Sequence, residues 1–157
     1  MGPPILIVAY GNPLRCDDGI AWRAADELER TLSQQNVEIL RLHQLTPEIA
    51  DAIRDRELVL FVDAACLEGN QHGHPGDVRV TEIGKEAAEK NPPGQFSHFY
   101  SPAHVLGAAR ELFGASPKAF VITVTGEDFG HGEHLSNAVA NALPELLATI
   151  RGIIEPV

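Results

Sequence analysis

The chain has 157 residues, 44% hydrophobic and 22% charged, with a formal net charge of −10 at pH 7. This length predicts one domain, residues 1–157, that can bury a core. The negative charge argues against a nucleic-acid or membrane partner, and no apolar run approaches the roughly 20 residues that span a bilayer. The N-terminal residues lack the features of a secretory signal, and two cysteines form no CxxC pair. We therefore expect a cytoplasmic protein.

Apolar patterns predict five strands. Continuous apolar runs at 5–9, 58–62 and 119–124 are typical of strands that are covered on both faces. Residues 37–42 are rich in aliphatic side chains and predict a further short strand. Residues 78–83 alternate between apolar and polar side chains, as expected of a half-exposed edge strand.

Helices are predicted between these strands. Helical periodicity and start signals indicate helices at 20–35, 46–54, 101–113 and 135–150. Pro144 lies inside the last helix, where we expect a kink or a break. Strands that alternate with helices predict an α/β fold, a three-layer α/β/α sandwich around a mostly parallel sheet.

Acidic side chains follow the first two buried runs. Asp17 and Asp18 come after a turn at 10–13, and Asp63 follows the run at 58–62 directly. Neighbouring parallel strands lie roughly 5 Å apart, so their ends converge at the edge where open α/β sheets place their chemistry. His98 precedes a helix that should start at the same edge. Two carboxylates and one imidazole suit a divalent metal ion of the Ni or Zn kind, or an acid–base site.

Simpler explanations exist for each of these residues. Aspartate is a common helix-capping residue, so one of Asp17 and Asp18 can cap the following helix while the other faces the edge of the sheet. Asp63 could orient a turn, and an isolated histidine such as His98 is more commonly an exposed loop residue. The prediction of a site therefore depends on three such residues meeting in one place.

Cysteines near the same edge offer a second interpretation. Cys16 and Cys66 adjoin it, so a Cys/His nucleophile is conceivable, although buried inert thiols are more common. His131 and His134 flank the start of the last helix, where capping or simple exposure is the default expectation.

Four motifs occur in order along the chain: G-N-P-L-x-x-D-D-G (Gly11 to Gly19), F-V-D-A (Phe61 to Ala64), S-H-x-x-S-P (Ser97 to Pro102) and G-E-x-L-S (Gly132 to Ser136). Together they resemble the hydrogenase maturation protease family over essentially the whole chain. These endopeptidases trim the C-terminus of the large subunit of NiFe hydrogenases.

The resemblance implies a mixed five-stranded sheet with one antiparallel strand, inside an α/β/α sandwich. It also implies a trio of catalytic and metal-contacting residues, which fall here on Asp18, Asp63 and His98. In the family, these residues are thought to engage nickel that is already inserted in the hydrogenase precursor. Some members have Glu at the position of Asp18. Asp17 is a candidate for orienting Asp18 or acting as a base.

The predicted function is therefore that of an endopeptidase that removes the C-terminal extension of a nickel-loaded NiFe hydrogenase large-subunit precursor. The precursor would supply the Ni²⁺, and no organic cofactor is expected. One alternative is a non-catalytic, metal-sensing maturation chaperone of the same fold. The other is a small Cys/His hydrolase that uses Cys16 or Cys66.

Overall fold

The computed structural model describes residues 2–32, 36–67, 73–84 and 100–155. Within these ranges a short 3₁₀ helix, Cys16–Gly19, precedes the first α-helix. The strands and α-helices, in chain order, are β1 (Ile5–Tyr10), α1 (Ile20–Thr31), β2 (Val37–Leu42), α2 (Ile49–Ile53), β3 (Leu58–Ala65), β4 (Val78–Ile83), α3 (Pro102–Phe113), β5 (Lys118–Thr125) and α4 (Asn137–Ile154). No helix in these ranges has the length and apolar character needed to cross a bilayer.

The strands form one sheet in the order β2-β1-β3-β5-β4. β2, β1, β3 and β5 are parallel, whereas β4 pairs antiparallel with β5 at the edge. The predicted mixed, mostly parallel five-stranded sheet is therefore confirmed, and so is the edge position of residues 78–83.

Both faces of the central strands β1 and β3 are buried. On β1, Leu6 and Val8 belong to the core that contains residues of α2 and α3, while Ile7 and Ala9 belong to the core that contains residues of α1 and α4. This alternation follows from the two-residue period of a strand. Each fully buried aliphatic side chain contributes roughly 1.5–3 kcal/mol. The three-layer α/β/α sandwich is confirmed.

Strand ends differ from the prediction in the region that carries the acids. Tyr10 belongs to β1 and not to the following turn. β3 continues past Val62 because it pairs with β5 as far as the Ala65–Thr125 pair. Asp63 therefore lies within a strand and not on a loop, which fixes the direction of its side chain.

Helix details also differ. α2 begins at Ile49 and not at Thr46, where the sequence predicts its start. Thr46 and the next two residues form a turn in which the Ile49 N–H donates to the Thr46 carbonyl. α4 does not break at Pro144, because its buried stripe offsets the roughly 3 kcal/mol cost of an interior proline. Leu112, which helical spacing predicts to be buried, is 69% exposed in the last turn of α3.

Candidate active site

A crevice is expected between the carboxyl ends of β1 and β3. The chain passes from β1 to β2 on one side and later returns to β3 on the other side of β1. α1 and α2, which follow β1 and β2, cover opposite faces of the sheet. Such a reversal is the point at which open α/β sheets bind their ligands. The two acids predicted from the sequence belong to the segments on either side of this point.

The loop after β1 holds Asp18 close to the end of that strand. The Gly11 N–H donates to the carbonyl of Leu42, and the φ of Gly11 is +143°. A Cβ at Gly11 would clash with the carbonyl oxygen of Asp18, so this close approach requires glycine. Asp18 Oδ2 accepts a 2.7 Å hydrogen bond from the Asn12 N–H. The half-buried Asp18 carboxylate is thereby anchored through one oxygen.

Asp63 approaches from β3. It lies one residue beyond the Ala9–Val62 pair, so the parallel register places it beside Tyr10. The Tyr10 hydroxyl and the Ala64 N–H both lie close enough to the Asp63 carboxyl group to influence its pKa. Asp18 is close enough to interact electrostatically with both Asp63 and Tyr10. The structure thus brings the two predicted acids together and adds a tyrosine that the sequence analysis missed.

The proton affinity of Asp63 reflects this environment. Burial raises the pKa of Asp63 to about 7; the negative charge of Asp18 adds to the rise, and the nearby Ala64 N–H and Tyr10 hydroxyl oppose it. Burial and the charge of Asp63 also raise the pKa of Tyr10, so its hydroxyl remains a donor at neutral pH. Two acids that share a site cannot both ionise freely in the absence of a cation.

The raised pKa predicts an unusual pH dependence for the free protein. An Asp with a pKa of 3.8 when unfolded and about 7 when folded costs no stability below pH 4. As the pH rises, the native state binds more protons than the unfolded state, so stability falls, by up to about 4 kcal/mol above pH 7. Asp63→Asn should therefore stabilise the protein more at pH 8 than at pH 5, as measured by urea unfolding.

The control for this measurement is Asp51→Asn, which changes an exposed carboxylate on α2. Its effect should be small and similar at both pH values. An Asp63→Asn variant that is no more stable than the wild type at pH 8 would contradict the pH argument.

Asp17 does not cap the helix that follows it and has a different structural role. Its side chain is fully buried and caps no residue of α1. It accepts hydrogen bonds from the N–H groups of Glu127, Asp128 and Ser136 and from the Ser136 hydroxyl. Burial alone would raise the pKa of Asp17, but these hydrogen bonds outweigh it and hold the pKa below its usual value. With four hydrogen bonds donated to it from the segment 127–136, Asp17 is a tether between two loops.

The remaining predicted residues are placed as follows. His98 lies outside the described residues. Cys16 is buried, and this burial together with nearby Asp128 raises the pKa of its thiol, whereas activated cysteine nucleophiles have a lowered pKa. Cys66 is exposed, and its thiol makes a weak hydrogen bond to the Leu67 carbonyl. The Cys16 thiol therefore lacks the lowered pKa of an activated nucleophile.

The sequence contains a weak indication that Tyr10 and Asp63 lie side by side. Each follows a continuous apolar run by one residue. If the two runs are adjacent parallel strands in equivalent register, both residues reach the same edge. Because Tyr10 precedes Gly11, the local sequence predicts a turn at Tyr10 and by itself gives no indication of its pairing with Asp63.

Comparison with known proteins identifies the fold. No family model and no curated protein sequence matches the chain. The hydrogenase-maturating endopeptidase HybD from E. coli superimposes with a TM-score of 0.78 at 23% identity, over 98% of this chain and 92% of that chain. The maturation protease HybD from Thermococcus kodakarensis gives 0.71 at 20% identity, over 99% and 100% of the two chains.

A third structure agrees with these two. The maturation protease HycI from Thermococcus kodakarensis gives a TM-score of 0.69 at 22% identity, over 96% of this chain and 91% of that chain. The protein is thus an α/β/α sandwich with paired acids at the switch point of its sheet. More particularly, it has the fold of the hydrogenase maturation endopeptidases over nearly its whole length, and the resemblance seen in the sequence motifs is confirmed at the level of fold.

Proposed function

We propose that this protein is an endopeptidase that removes the C-terminal extension of a nickel-loaded NiFe hydrogenase large-subunit precursor. The observation that carries the proposal is the pairing of Asp18 with Asp63 at the switch point of a fold shared with maturation endopeptidases. The precursor is the expected partner, and a cytoplasmic location stays a prediction from the sequence.

The chemistry of the donors fits a divalent cation. Asp63 has a pKa of about 7 because it is buried beside another carboxylate, so a cation bound between the two acids would displace its proton. Asp18 uses one oxygen for the Asn12 N–H, which leaves the other available. Carboxylates together with an imidazole, for which His98 is the predicted source, are ligands for borderline ions such as Ni²⁺.

In this proposal the chain's own residues position the substrate. The Asn12 N–H donates to Asp18, and the pairing of β1 with β3 places Asp63 beside Tyr10, so the two carboxylates are set before the precursor arrives. Nickel carried by the precursor would polarise the scissile carbonyl or lower the pKa of an attacking water. Because the ion comes with the substrate, an empty nickel site in the precursor would leave the two acids without a cation to engage. Cleavage would therefore depend on whether the precursor already contains nickel.

The proposal is tested by incubating the protein with a candidate precursor that is either nickel-loaded or nickel-free. We expect intact-mass spectrometry to show loss of a C-terminal peptide from the nickel-loaded form, with cleavage of the nickel-free form at least about a hundredfold slower. Tight binding without cleavage of any candidate would favour the alternative, a non-catalytic metal-sensing chaperone. Equal cleavage of both forms would contradict nickel recognition.

A further inference from the structure

A second cluster of metal-ligating side chains lies where the first loop meets the loop before α4. Cys16 Sγ is 3.8 Å from Nε2 of His134, and the same Nε2 is 3.8 Å from Oδ2 of Asp128. All three ligand atoms lie within 4.8 Å of one another. Cys16 is 1% exposed, whereas the side chains of His134 and Asp128 are 71% and 49% exposed. The cluster therefore has a buried thiol at its base and an open mouth.

Backbone hydrogen bonds fix the two loops that carry the cluster. The Cys16 N–H donates to the Gly132 carbonyl at 2.8 Å, and the Gly132 N–H donates to the Leu14 carbonyl at 2.8 Å. The Asp17 N–H donates to the carbonyl of Asp128 at 2.9 Å. Cys16 has a φ of +51°, which non-glycine residues seldom adopt. The backbone thus holds the thiol in place before any ligand arrives.

We propose that Cys16, Asp128 and His134 form a metal site of their own, which binds one borderline divalent ion of the Zn²⁺ class and keeps a fourth position open to solvent. A thiolate and a carboxylate balance the two positive charges, and thiolate, imidazole and carboxylate are all ligands of Zn²⁺. Tetrahedral coordination at usual bond lengths separates sulfur from nitrogen by about 3.6 Å and nitrogen from oxygen by about 3.4 Å. The observed 3.8 Å separations require only small movements.

The orientation of His134 favours a metal site over a Cys–His–Asp catalytic relay. In such a relay, one ring nitrogen faces the nucleophile and the other faces the carboxylate. Here the same nitrogen, Nε2, faces both Cys16 and Asp128. The edge of the ring that carries Nδ1 and Cε1 lies beside Gly132, where an added Cβ would be 3.0 Å from both atoms. The three side chains therefore converge on one point.

The proposed ion would join two parts of the chain that are distant in sequence. Cys16 precedes Asp18 by two residues, and His134 precedes α4. A bound ion would therefore strengthen the attachment of the loop that carries Asp18. This site does not depend on the proposed function, because none of its ligands belongs to the acidic pair.

Titration of the full chain with Co²⁺, followed by competition with Zn²⁺, tests the proposal. We expect tetrahedral d–d bands and a sulfur-to-cobalt charge-transfer band, which report a cysteine ligand directly. Cys16→Ser should abolish the charge-transfer band. His134→Ala and Asp128→Asn change exposed side chains, so these variants should stay folded; each should weaken Zn²⁺ binding by at least about tenfold.

Matched controls locate the ion. Cys66→Ser and His131→Ala remove the other cysteine and a nearby exposed histidine, and both should keep the bands and the affinity. Asp18→Asn/Asp63→Asn should keep the charge-transfer band, which separates this site from the acidic pair. The proposal is overturned if the wild type shows no charge-transfer band. It is also overturned if the band survives in Cys16→Ser or is lost in Cys66→Ser or in Asp18→Asn/Asp63→Asn.

Discussion

Asp63→Asn and Asp18→Asn are each expected to slow cleavage of the nickel-loaded precursor by at least about a hundredfold. Asparagine keeps the shape of the side chain, and at position 63 its oxygen remains an acceptor beside the Tyr10 hydroxyl. It lacks the negative charge that would engage a cation. The loss should therefore appear in the rate of cleavage and not in the fold. The measurement is the initial rate of product formation by intact-mass spectrometry.

Asp51→Asn is the matched control for these rates, because it makes the same chemical change on the exposed surface of α2. Its cleavage rate should equal that of the wild type. Circular dichroism of all three variants should match the wild type. Full activity in either Asp63→Asn or Asp18→Asn would remove that residue from the proposed site.

Asp17→Asn is expected to lower the free energy of unfolding by about 2–4 kcal/mol at pH 7. The Asp17 carboxylate accepts four hydrogen bonds, three from backbone N–H groups and one from the Ser136 hydroxyl. The side-chain NH₂ of asparagine is a hydrogen-bond donor and would face at least one of these N–H or O–H groups. That group would then have no acceptor. Urea unfolding, with the exposed Asp55→Asn as control, measures the difference.

The same contacts give the Asp17 effect a definite pH dependence. The folded pKa of Asp17 is lowered from 3.8, so its charge contributes stability that is present above pH 4. This contribution is lost as the pH falls through the folded pKa. The difference between wild type and Asp17→Asn should therefore shrink in acid. A variant as stable as the wild type at pH 7 would contradict the role of Asp17 as a tether.

Most of the fold could be predicted because the strands at its centre are continuous apolar runs. The runs at 5–9, 58–62 and 119–124 became β1, β3 and β5, and the alternating segment 78–83 became the antiparallel edge strand. Apolar content does not show where a strand ends, because pairing with a neighbour decides that. β3 extends through Asp63 since β5 offers partners as far as Thr125.

The site could be predicted only in part, because its contacts join distant segments. The two adjacent acids look alike in sequence, but Asp17 reaches Ser136, 119 residues away, while Asp18 returns to Asn12. His134 has the sequence context of an exposed helix start, yet it meets Cys16 across 118 residues. Contacts between residues this far apart along the chain produce no periodic pattern in the sequence. The part of the site assigned to His98 stays a prediction.

The central claim is that Asp18 and Asp63 engage a single ion, and a comparison of the two single variants with the double variant tests it most directly. If both carboxylates engage the same ion, removing the second after the first should slow cleavage of nickel-loaded precursor by no more than about tenfold further. If the two carboxylates act independently, the fold-decreases in cleavage rate of the two single variants should multiply in Asp18→Asn/Asp63→Asn. That result would contradict the claim.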